Sequence, residues 1–199
     1  MADTYCWYGT NIPDNLINEI INEADDYNKD HNNNTLIDST INVDDPHVYT
    51  DLRKSKNSWI STNSWIGGFL WHYVMKANRK NFLYDISHIE QDVIQYTHYN
   101  KGDYYNWHTD QDIRVIEKPK ELVRKLSFTL QLSDENEYTG GNLEFADFDN
   151  SKNKFIAPRT RGCLIVFDSR VPHRVCPVKS GLRKSLVGWV MGKRGRSWV

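Results

Sequence analysis

The hydrophobic and polar positions of the first 85 residues follow a helical spacing in two segments. After Pro13, apolar residues recur every three or four positions, and Asp14 can cap the helix that this pattern predicts. Residues 63–78 carry a second apolar stripe of the same period. The Asn- and Asp-rich residues 28–45 predict a loop, and residues 53–60 predict a strand. The stripes consist of Leu16, Ile17, Ile20, Ile21 and Ala24, and of Ile66, Leu70, Val74 and Ala77.

From about residue 86 the pattern changes to short runs that are typical of β-strands. In one of them, Leu126 to Leu132, the apolar side chains face one side and Ser127, Thr129 and Gln131 face the other. Polar side chains are costly to bury unless a ligand or water satisfies them, so this face indicates a pocket or, alternatively, a solvent-facing surface. Strands are predicted at residues 92–99, 126–132, 142–145, 162–167, 171–175 and 183–190, with turns at 137–141 and 149–152.

The order of these elements, helices first and strands afterwards, indicates the fold class. We expect a mainly β protein with flanking α-helices, in which the N-terminal helices pack on one sheet of a β-sandwich or jelly roll. A chain of 199 residues is long enough for one substantial core. We therefore expect a single domain, 1–199, in which residues 1–85 form a helical and strand support for a core at 86–192.

Composition narrows the function classes. A net charge of −1 gives no global field that would attract nucleic acid or an anionic membrane. The three cysteines form no CxxC pair, and the N-terminus has no basic patch or apolar segment of a signal peptide. No apolar run is long enough to cross a bilayer. We expect a cytoplasmic protein with reduced thiols and without nucleic-acid or membrane partners; its oligomeric state is not predicted.

His108, Asp110 and His173 are candidate metal ligands. Residues two apart on a strand share a face, so His108 and Asp110 can reach one ion. Two histidines and one carboxylate can bind one face of Fe(II) and leave the opposite face open. Without His173 the pair would be a weak signal, because a solvent-exposed pair is the commoner arrangement.

Arg183 and Ser185 share one face of the strand predicted at 183–190, and Lys184 faces away. A guanidinium is a two-pronged partner for a carboxylate, and the Ser185 hydroxyl can support it. An ordinary surface ion pair is the alternative for Arg183. By the same alternation, Trp107 faces away from the metal. The polar residues 112–125 predict either a lid over the substrate or a long loop.

Several segments resemble, in order and spacing, the prolyl 4-hydroxylase type of iron(II)/2-oxoglutarate-dependent dioxygenase, in particular its bacterial and phage branch. The resemblance covers about residues 90–192 and implies a double-stranded β-helix, the cupin-like jelly roll of that family. Arg53-Lys54-Ser55 with Trp59 resembles the family's N-terminal strand more weakly. The matching segments are Tyr99 to Asp110, Leu130 to Ser133, Tyr138 to Leu143, Pro172 to Val175 and Gly181 to Arg183.

The resemblance also implies roles for individual residues. His108, Asp110 and His173 match the catalytic iron ligands. Arg183 matches the residue that binds the far carboxylate of 2-oxoglutarate, and Tyr99 matches one that hydrogen-bonds the same group. Gln131 departs from the family pattern. The remaining candidates for co-substrate contact are Ser127, Thr129, Gln131 and Ser185.

The implied activity is hydroxylation of an unactivated C–H bond, most readily the 4-position of peptidyl proline in a protein or peptide. The implied cofactors are Fe(II), 2-oxoglutarate and O2, with succinate and CO2 as co-products and ascorbate as a further candidate. Two alternatives stay open: the same chemistry on another residue or a free amino acid, and a non-catalytic metal-binding module of cupin or lectin type. A nucleic-acid demethylase is disfavoured, since such enzymes usually carry a second Arg where this chain has Trp189.

Overall fold

A computed structural model describes residues 5–9, 12–31, 36–38, 51–111, 122–146 and 154–194. Its two α-helices are α1 (Asp14–His31) and α2 (Trp65–Ala77), and a π-helical turn (Asn78–Phe82) and a 3-10 turn (Glu90–Asp92) follow α2. The strands are β1 (Tyr5–Gly9), β2 (Ile37–Asp38), β3 (Arg53–Lys54), β4 (Lys56–Ser61), β5 (Ile86–Ile89), β6 (Val93–Tyr99), β7 (Tyr104–His108), β8 (Leu122–Gln131), β9 (Tyr138–Gly140), β10 (Leu143–Ala146), β11 (Lys154–Ile156), β12 (Cys163–Asp168), β13 (His173–Val175), β14 (Val178–Gly181) and β15 (Arg183–Lys193).

Two antiparallel sheets form the body of the fold. The larger sheet has the order β1-β12-β8-β15-β6-β4-β2, with β5 also paired to β15. The smaller sheet has the order β11-β10-β13-β7-β3, and β9 and β14 form a separate pair. This is the mainly β jelly-roll arrangement with flanking helices that the sequence predicted.

Both helices pack on the outer face of the larger sheet. The predicted stripe of α2 is fully buried, and Ile17, Ile20 and Ala24 of α1 are buried with it. The apolar face of β8 joins the same core, which confirms the alternation predicted for that strand. Burial of this apolar area, at about 25 cal/mol per Å², is the main force that holds the helices to the sheet. The residues of β8 and its end in this core are Leu126, Phe128, Leu130 and Leu132.

A second apolar cluster lies on the inner side, where the two sheets face each other. The larger sheet contributes Tyr99 and Phe167, and the smaller sheet contributes Phe145 and Val175. The inner face of the larger sheet also carries buried polar side chains, including Thr129 of β8. The space between the sheets is therefore mixed in character, which is expected of a binding cavity rather than a closed core.

Four sequence predictions need correction. The prediction of a loop at 28–45 is wrong in the two parts of this range that the structure describes: α1 extends to His31, and residues 37–38 form β2. The strand predicted at 53–60 is two strands, because the chain crosses at Ser55 from the smaller sheet to the larger. The turn predicted at 137–141 contains β9. Of the predicted lid, residues 122–125 belong to β8, and residues 112–121 lie outside the described residues, as does the turn predicted at 149–152.

Neither helix of the described residues is long and apolar enough to cross a membrane. Within the described residues, none of the three cysteines forms a disulfide bond. Cys163 is buried, which raises the pKa of its thiol to about 11 and makes it unreactive as a thiolate near neutral pH.

Candidate metal centre

A β-bulge in β7 decides which of its side chains reach the space between the sheets. His173 of β13 lies opposite His108, and Val175 lies opposite Tyr105, so four residues of β7 face three of β13. The extra residue brings Tyr105 and His108 to the same side, where both line one cavity. Trp107 is outside this cavity, in cation–π contact with Lys154 of β11 and Arg174 of β13.

His108, Asp110 and His173 converge inside the cavity. Their ligand atoms all lie within 4.8 Å of one another. Asp110 places Oδ1 3.8 Å from Nε2 of His108 and Oδ2 3.6 Å from Nε2 of His173. All three side chains are at most 10% exposed. Two imidazoles and one carboxylate on one side of a cavity are a donor set that suits Fe(II).

Backbone carbonyls orient both imidazoles. Nδ1 of His108 lies 2.8 Å from the carbonyl oxygen of Asn106, and Nδ1 of His173 lies 2.9 Å from that of Val171. A carbonyl oxygen can only accept, so each neutral ring carries its hydrogen on Nδ1 and donates it. The lone pair of each Nε2 is then free to bind a metal, and the carbonyl fixes the ring's direction.

The Asp110 carboxylate is held by a buried hydroxyl pair. Ser127 Oγ donates to Asp110 Oδ2 at 2.7 Å, and Ser169 Oγ lies 2.9 Å from Ser127 Oγ. The backbone N–H of Asp110 donates to the carbonyl of Ser169 at 2.9 Å. Burial alone would raise the pKa of Asp110, but His173, His108 and Arg124 nearby and the Ser127 hydrogen bond outweigh it and lower the pKa. Asp110 is thus an anion at neutral pH.

The electrostatic environment also keeps His108 neutral. Burial, followed by the proximity of His173, lowers the pKa of His108 to about 3, against the opposing effect of Asp110. A neutral imidazole is the form that binds a metal. The centre therefore offers a cation the anionic carboxylate of Asp110 and the neutral imidazole of His108.

Arg183 lies in the same cavity but comes from the larger sheet. Its side chain is buried, its Nη1 donates to Ser185 Oγ at 3.4 Å, and its guanidinium carbon lies 5.4 Å from the ring centre of Tyr99. Among the described residues no carboxylate pairs with it. A buried guanidinium without an anion is costly, which makes it a site for an anionic ligand.

The other predicted co-substrate residues are placed differently from one another. Thr129, Ser185 and Tyr99 line the cavity with Arg183. Gln131 does not: its Nε2 donates to the hydroxyl of Tyr138 at 3.0 Å and to a backbone carbonyl at 3.4 Å. Ser127 contacts Asp110 rather than the cavity space. A direct contact with 2-oxoglutarate stays a prediction for each of these residues.

The cavity also contains polar residues that the sequence did not single out as site residues. Gln95 lines it, and its Nε2 donates to Thr97 at 2.6 Å. The alternation of Gln95, Thr97 and Tyr99 along β6 was a usable signal, since all three share a face. Arg53 also lines the cavity, although the sequence offered only the weak resemblance of its segment. The empty space between the lining side chains, including the part that is open to solvent, is about 490 Å³.

Comparison with known proteins agrees with this geometry. The sequence profile of the 2OG-Fe(II) oxygenase superfamily matches residues 94–191, the segment that carries the triad and Arg183. A PKHD-type hydroxylase of Synechococcus elongatus is 30% identical over 146 residues, which are 72% of this chain and 61% of the relative. A PKHD-type hydroxylase of Synechococcus sp. strain CC9902 is 39% identical over 89 residues. The matches span 61% of the length of the S. elongatus relative and 36% of the length of the other.

Two solved structures share the fold. A prolyl-4-hydroxylase of Pseudomonas putida has a TM-score of 0.69 and 20% identity, and the match covers 96% of this chain and 94% of that one. A prolyl hydroxylase of Trichoplax adhaerens, solved with a peptide fragment of hypoxia-inducible factor, has a TM-score of 0.72 and 15% identity, covering 95% and 84%. Fold, triad and sequence profile agree: the chain belongs to the 2OG-Fe(II) oxygenase superfamily and has the fold of its prolyl 4-hydroxylases.

Proposed function

We propose that this chain is an Fe(II)- and 2-oxoglutarate-dependent dioxygenase that hydroxylates peptidyl proline at its 4-position. The observation that carries the proposal is the presence, in one cavity, of the His108–Asp110–His173 triad and the buried, anion-free Arg183. A simple metal-binding module would have no use for a buried guanidinium, so Arg183 favours an enzyme over the cupin- or lectin-type alternative.

Residues of both sheets take part in the proposed binding of the metal and the co-substrate. The Nε2 atoms of His108 and His173 and the carboxylate of Asp110 would hold Fe(II). Arg183, with Tyr99 and Ser185 beside it, would bind the far carboxylate of 2-oxoglutarate and so fix its orientation. When bound, the iron and its co-substrates supply the oxidation that yields succinate, CO2 and the hydroxylated product. The aromatic walls around the cavity limit the access of water to the site.

The choice of substrate draws on the relatives. The Pseudomonas and Trichoplax proteins are prolyl hydroxylases, and the latter was solved with a peptide. A cavity lined by Tyr105 and Trp189 offers flat apolar surfaces that suit a pyrrolidine ring. Another side chain or a free amino acid, undergoing the same chemistry, is the alternative that the experiments below distinguish.

Three expectations from the sequence accompany this proposal as predictions. They are a cytoplasmic location, a single domain over residues 1–199 with its oxygenase core at 86–192, and ascorbate as a candidate further cofactor. Stimulation of succinate formation by ascorbate in the purified protein would test the last of these.

The first experiment tests for the centre itself. Under anaerobic conditions, addition of Fe(II) and then 2-oxoglutarate should produce a weak visible charge-transfer band, and His108→Ala should abolish it. On admission of air, the wild-type protein should form succinate. A wild-type protein that gives neither the band nor succinate would favour the non-catalytic alternative.

The second experiment tests the assignment of Arg183. Arg183→Ala should raise the KM for 2-oxoglutarate by a factor that corresponds to roughly 2–5 kcal/mol, because a buried charge-assisted pair is lost. Arg183→Lys should recover part of the affinity, since it keeps the charge. Lys184→Ala is the matched control, as Lys184 faces α1 and pairs with Asp25. An unchanged KM in Arg183→Ala would remove the assignment.

The third experiment identifies the substrate class. A peptide library is incubated with Fe(II), 2-oxoglutarate and the protein in air, and mass spectrometry locates any gain of one oxygen. We expect the oxygen on proline. Its appearance on another residue type, or only on free amino acids, would replace the substrate while leaving the oxygenase chemistry in place.

A further inference from the structure

The turn at residues 168–171, which leads from β12 toward β13, holds two of the three candidate metal ligands. The carbonyl of Ser169 accepts the backbone N–H of Asp110 at 2.9 Å, and the hydroxyl of Ser169 belongs to the pair that holds the Asp110 carboxylate. The carbonyl of Val171 accepts the hydrogen bond from Nδ1 of His173 at 2.9 Å. The position of this turn therefore sets the positions of both ligands.

A buried carboxylate closes the turn from within. Asp168 is 2% exposed, and its Oδ1 accepts the backbone N–H of Arg170 at 2.9 Å and the Nε of the same residue at 3.0 Å. Its Oδ2 accepts Nη2 of Arg170 at 2.7 Å. The carboxylate and the guanidinium thus form a two-pronged ion pair inside the turn, which fixes both side chains.

Tyr84 adds a hydrogen bond to the same carboxylate from outside the turn. Its hydroxyl donates to Oδ2 of Asp168 at 2.5 Å, and Nη2 of Arg170 lies 3.3 Å from the phenol oxygen. Burial, and then the hydrogen bond to Asp168, raise the pKa of Tyr84 to about 12, so the phenol keeps its proton at neutral pH and stays a donor. Because the two residues are 84 positions apart in the sequence, this contact ties the turn to the N-terminal part of the chain.

The backbone of Tyr84 is held in place from the end of α2. The side chain of the buried Asn78 donates from Nδ2 to the carbonyl of Tyr84 and accepts its N–H at Oδ1, both at 2.9 Å. Between them, Leu83 has a φ of +55°, a left-handed conformation that leucine seldom adopts, although its side chain is 78% exposed and gains no packing. A strained residue without packing of its own indicates that the conformation is kept for the direction it gives to Tyr84.

These contacts form a continuous path from α2, on the outer face of the larger sheet, to the metal centre. Each step is a hydrogen bond between groups that are wholly or partly buried, where water competes little. Tyr84 is not among the described residues that line the cavity, so the path reaches the centre through the turn and not through a bound ligand. The residues along the path are Asn78, Tyr84, Asp168, Ser169 and Asp110.

We propose that Tyr84 is a positioning residue of the metal centre: through Asp168 it fixes the turn at residues 168–171 and, with it, Asp110 and His173. This inference goes beyond the proposed function and rests only on its metal centre, since it makes no use of the substrate. Without the hydroxyl of Tyr84 the turn gains freedom to shift. Ligands that must first be ordered bind a metal more weakly than ligands that are already in place.

The test is the affinity of the metal-free protein for Mn(II), measured by EPR as free Mn(II) during a titration. Tyr84→Phe removes only the hydroxyl, and the Kd should rise by about three- to tenfold, at or below the lower end of the loss that direct partners of metal ligands give. Tyr73→Phe is the matched control. It removes a hydroxyl from a partly buried tyrosine of α2, whose ring contacts Tyr8 and Phe69, and it should keep the wild-type Kd.

Urea unfolding of the same proteins separates positioning from stability alone. If Tyr84 only stabilised the fold, Tyr84→Phe would unfold at a lower urea concentration and still bind Mn(II) with the wild-type Kd, because it stays folded during the titration. An unchanged Kd therefore overturns the inference, whatever the stability of the variant. If Tyr84→Phe does not fold, Arg170→Gln replaces it: it loosens the same turn and should raise the Kd in the same way, and an unchanged Kd again overturns the inference.

The result can be told apart from the fate of the proposed function. A wild-type protein that binds Mn(II) but forms no succinate in air removes the oxygenase activity, and the comparison of Kd values still decides the role of Tyr84. If succinate forms and the Kd does not depend on Tyr84, only the present inference is wrong. A wild-type protein that binds neither Mn(II) nor Fe(II) overturns the metal centre and this inference together.

Discussion

The imidazole of His108 lies almost parallel to the phenol ring of Tyr105, with ring centroids 3.5 Å apart and an angle of 12° between the planes. This stack, the hydrogen bond from Nδ1 of His108 to the carbonyl of Asn106, and the β-bulge in β7 together fix the ring of one candidate metal ligand. A ligand that is already oriented loses little entropy when a metal binds.

The stack gives a first prediction about metal affinity. Tyr105→Ala should weaken binding of Mn(II) or Fe(II) by about tenfold, because His108 gains rotational freedom. Tyr105→Phe keeps the ring and should stay close to wild type. Titration of the apo-protein with each metal measures the effect. Equal affinity in all three proteins would show that the neighbouring ring does not orient His108.

The hydroxyl of Ser127 gives a second prediction. Ser127→Ala removes the hydrogen bond to Oδ2 of Asp110 and should weaken metal binding by about ten- to a hundredfold, which is the usual effect of losing such a support. Ser127→Thr retains the hydroxyl and should recover most of the affinity. Ser180→Ala, on the exposed β14, is the control. If Ser127→Ala binds the metal as the wild type does, Asp110 does not depend on this contact.

A third prediction concerns acid stability. Burial, and then the charge of Lys184, lower the pKa of His98 to about 4, below the value of about 6.5 in an unfolded chain. Between these two pH values the unfolded state binds more protons, so the stability of the folded state must fall as the pH drops below 6.5. In His98→Gln, the difference in free energy of unfolding between pH 7.5 and pH 5 should shrink by roughly 1–2 kcal/mol.

Urea unfolding in EDTA at the two pH values measures this difference. His88→Gln, at an exposed position, is the control and should leave the slope unchanged. His108, whose pKa is lowered to about 3, contributes in the same direction, so part of the pH dependence should persist in His98→Gln. A slope as steep as in the wild type would mean that His98 is protonated in the folded state.

The two neighbouring glycines of α2 give a fourth prediction. A Cβ atom at Gly67 would lie 2.1 Å from the backbone oxygen of Thr62, whereas one at Gly68 would have no neighbour within 4 Å. Gly67→Ala should therefore destabilise the fold by about 1–3 kcal/mol. Gly68→Ala should stabilise it by about 0.5–1 kcal/mol, because alanine favours the helix. Thermal unfolding of both variants measures these effects. A lower melting temperature for Gly67→Ala and a higher one for Gly68→Ala would confirm how α2 packs against the segment before it.

Much of the fold could be predicted because apolar spacing decides which face of an element is buried. The stripe of α2 and the leucine face of β8 are buried as their patterns required. The candidate site could be predicted in the same way where alternation applies: Arg183 and Ser185 line the cavity and Lys184 does not. These features depend on local periodicity, which the sequence contains in full.

Other features depend on long-range pairing, which periodicity does not specify. Residues 53–60 have the pattern of one strand, and nothing local shows that the chain changes sheets at Ser55; the burial of Arg53 in the cavity follows from that crossing. The alternation of β8 predicts that Gln131 faces the interior, but its side-chain amide donates to the hydroxyl of Tyr138 in β9. The glycines of this segment led the sequence analysis to predict a turn there instead of a strand. The bulge that turns Tyr105 inward is likewise visible only in the pairing of β7 with β13.

The placement of His108 and His173 on the smaller sheet, and of Arg183 on the larger, has a mechanical consequence. A dicarboxylate that is bound by the metal at one end and by the guanidinium of Arg183 at the other would connect the two sheets. Separation of the two sheets would then also cost the free energy of co-substrate binding. The protein with bound co-substrate should therefore resist separation of its sheets more strongly than the protein without it.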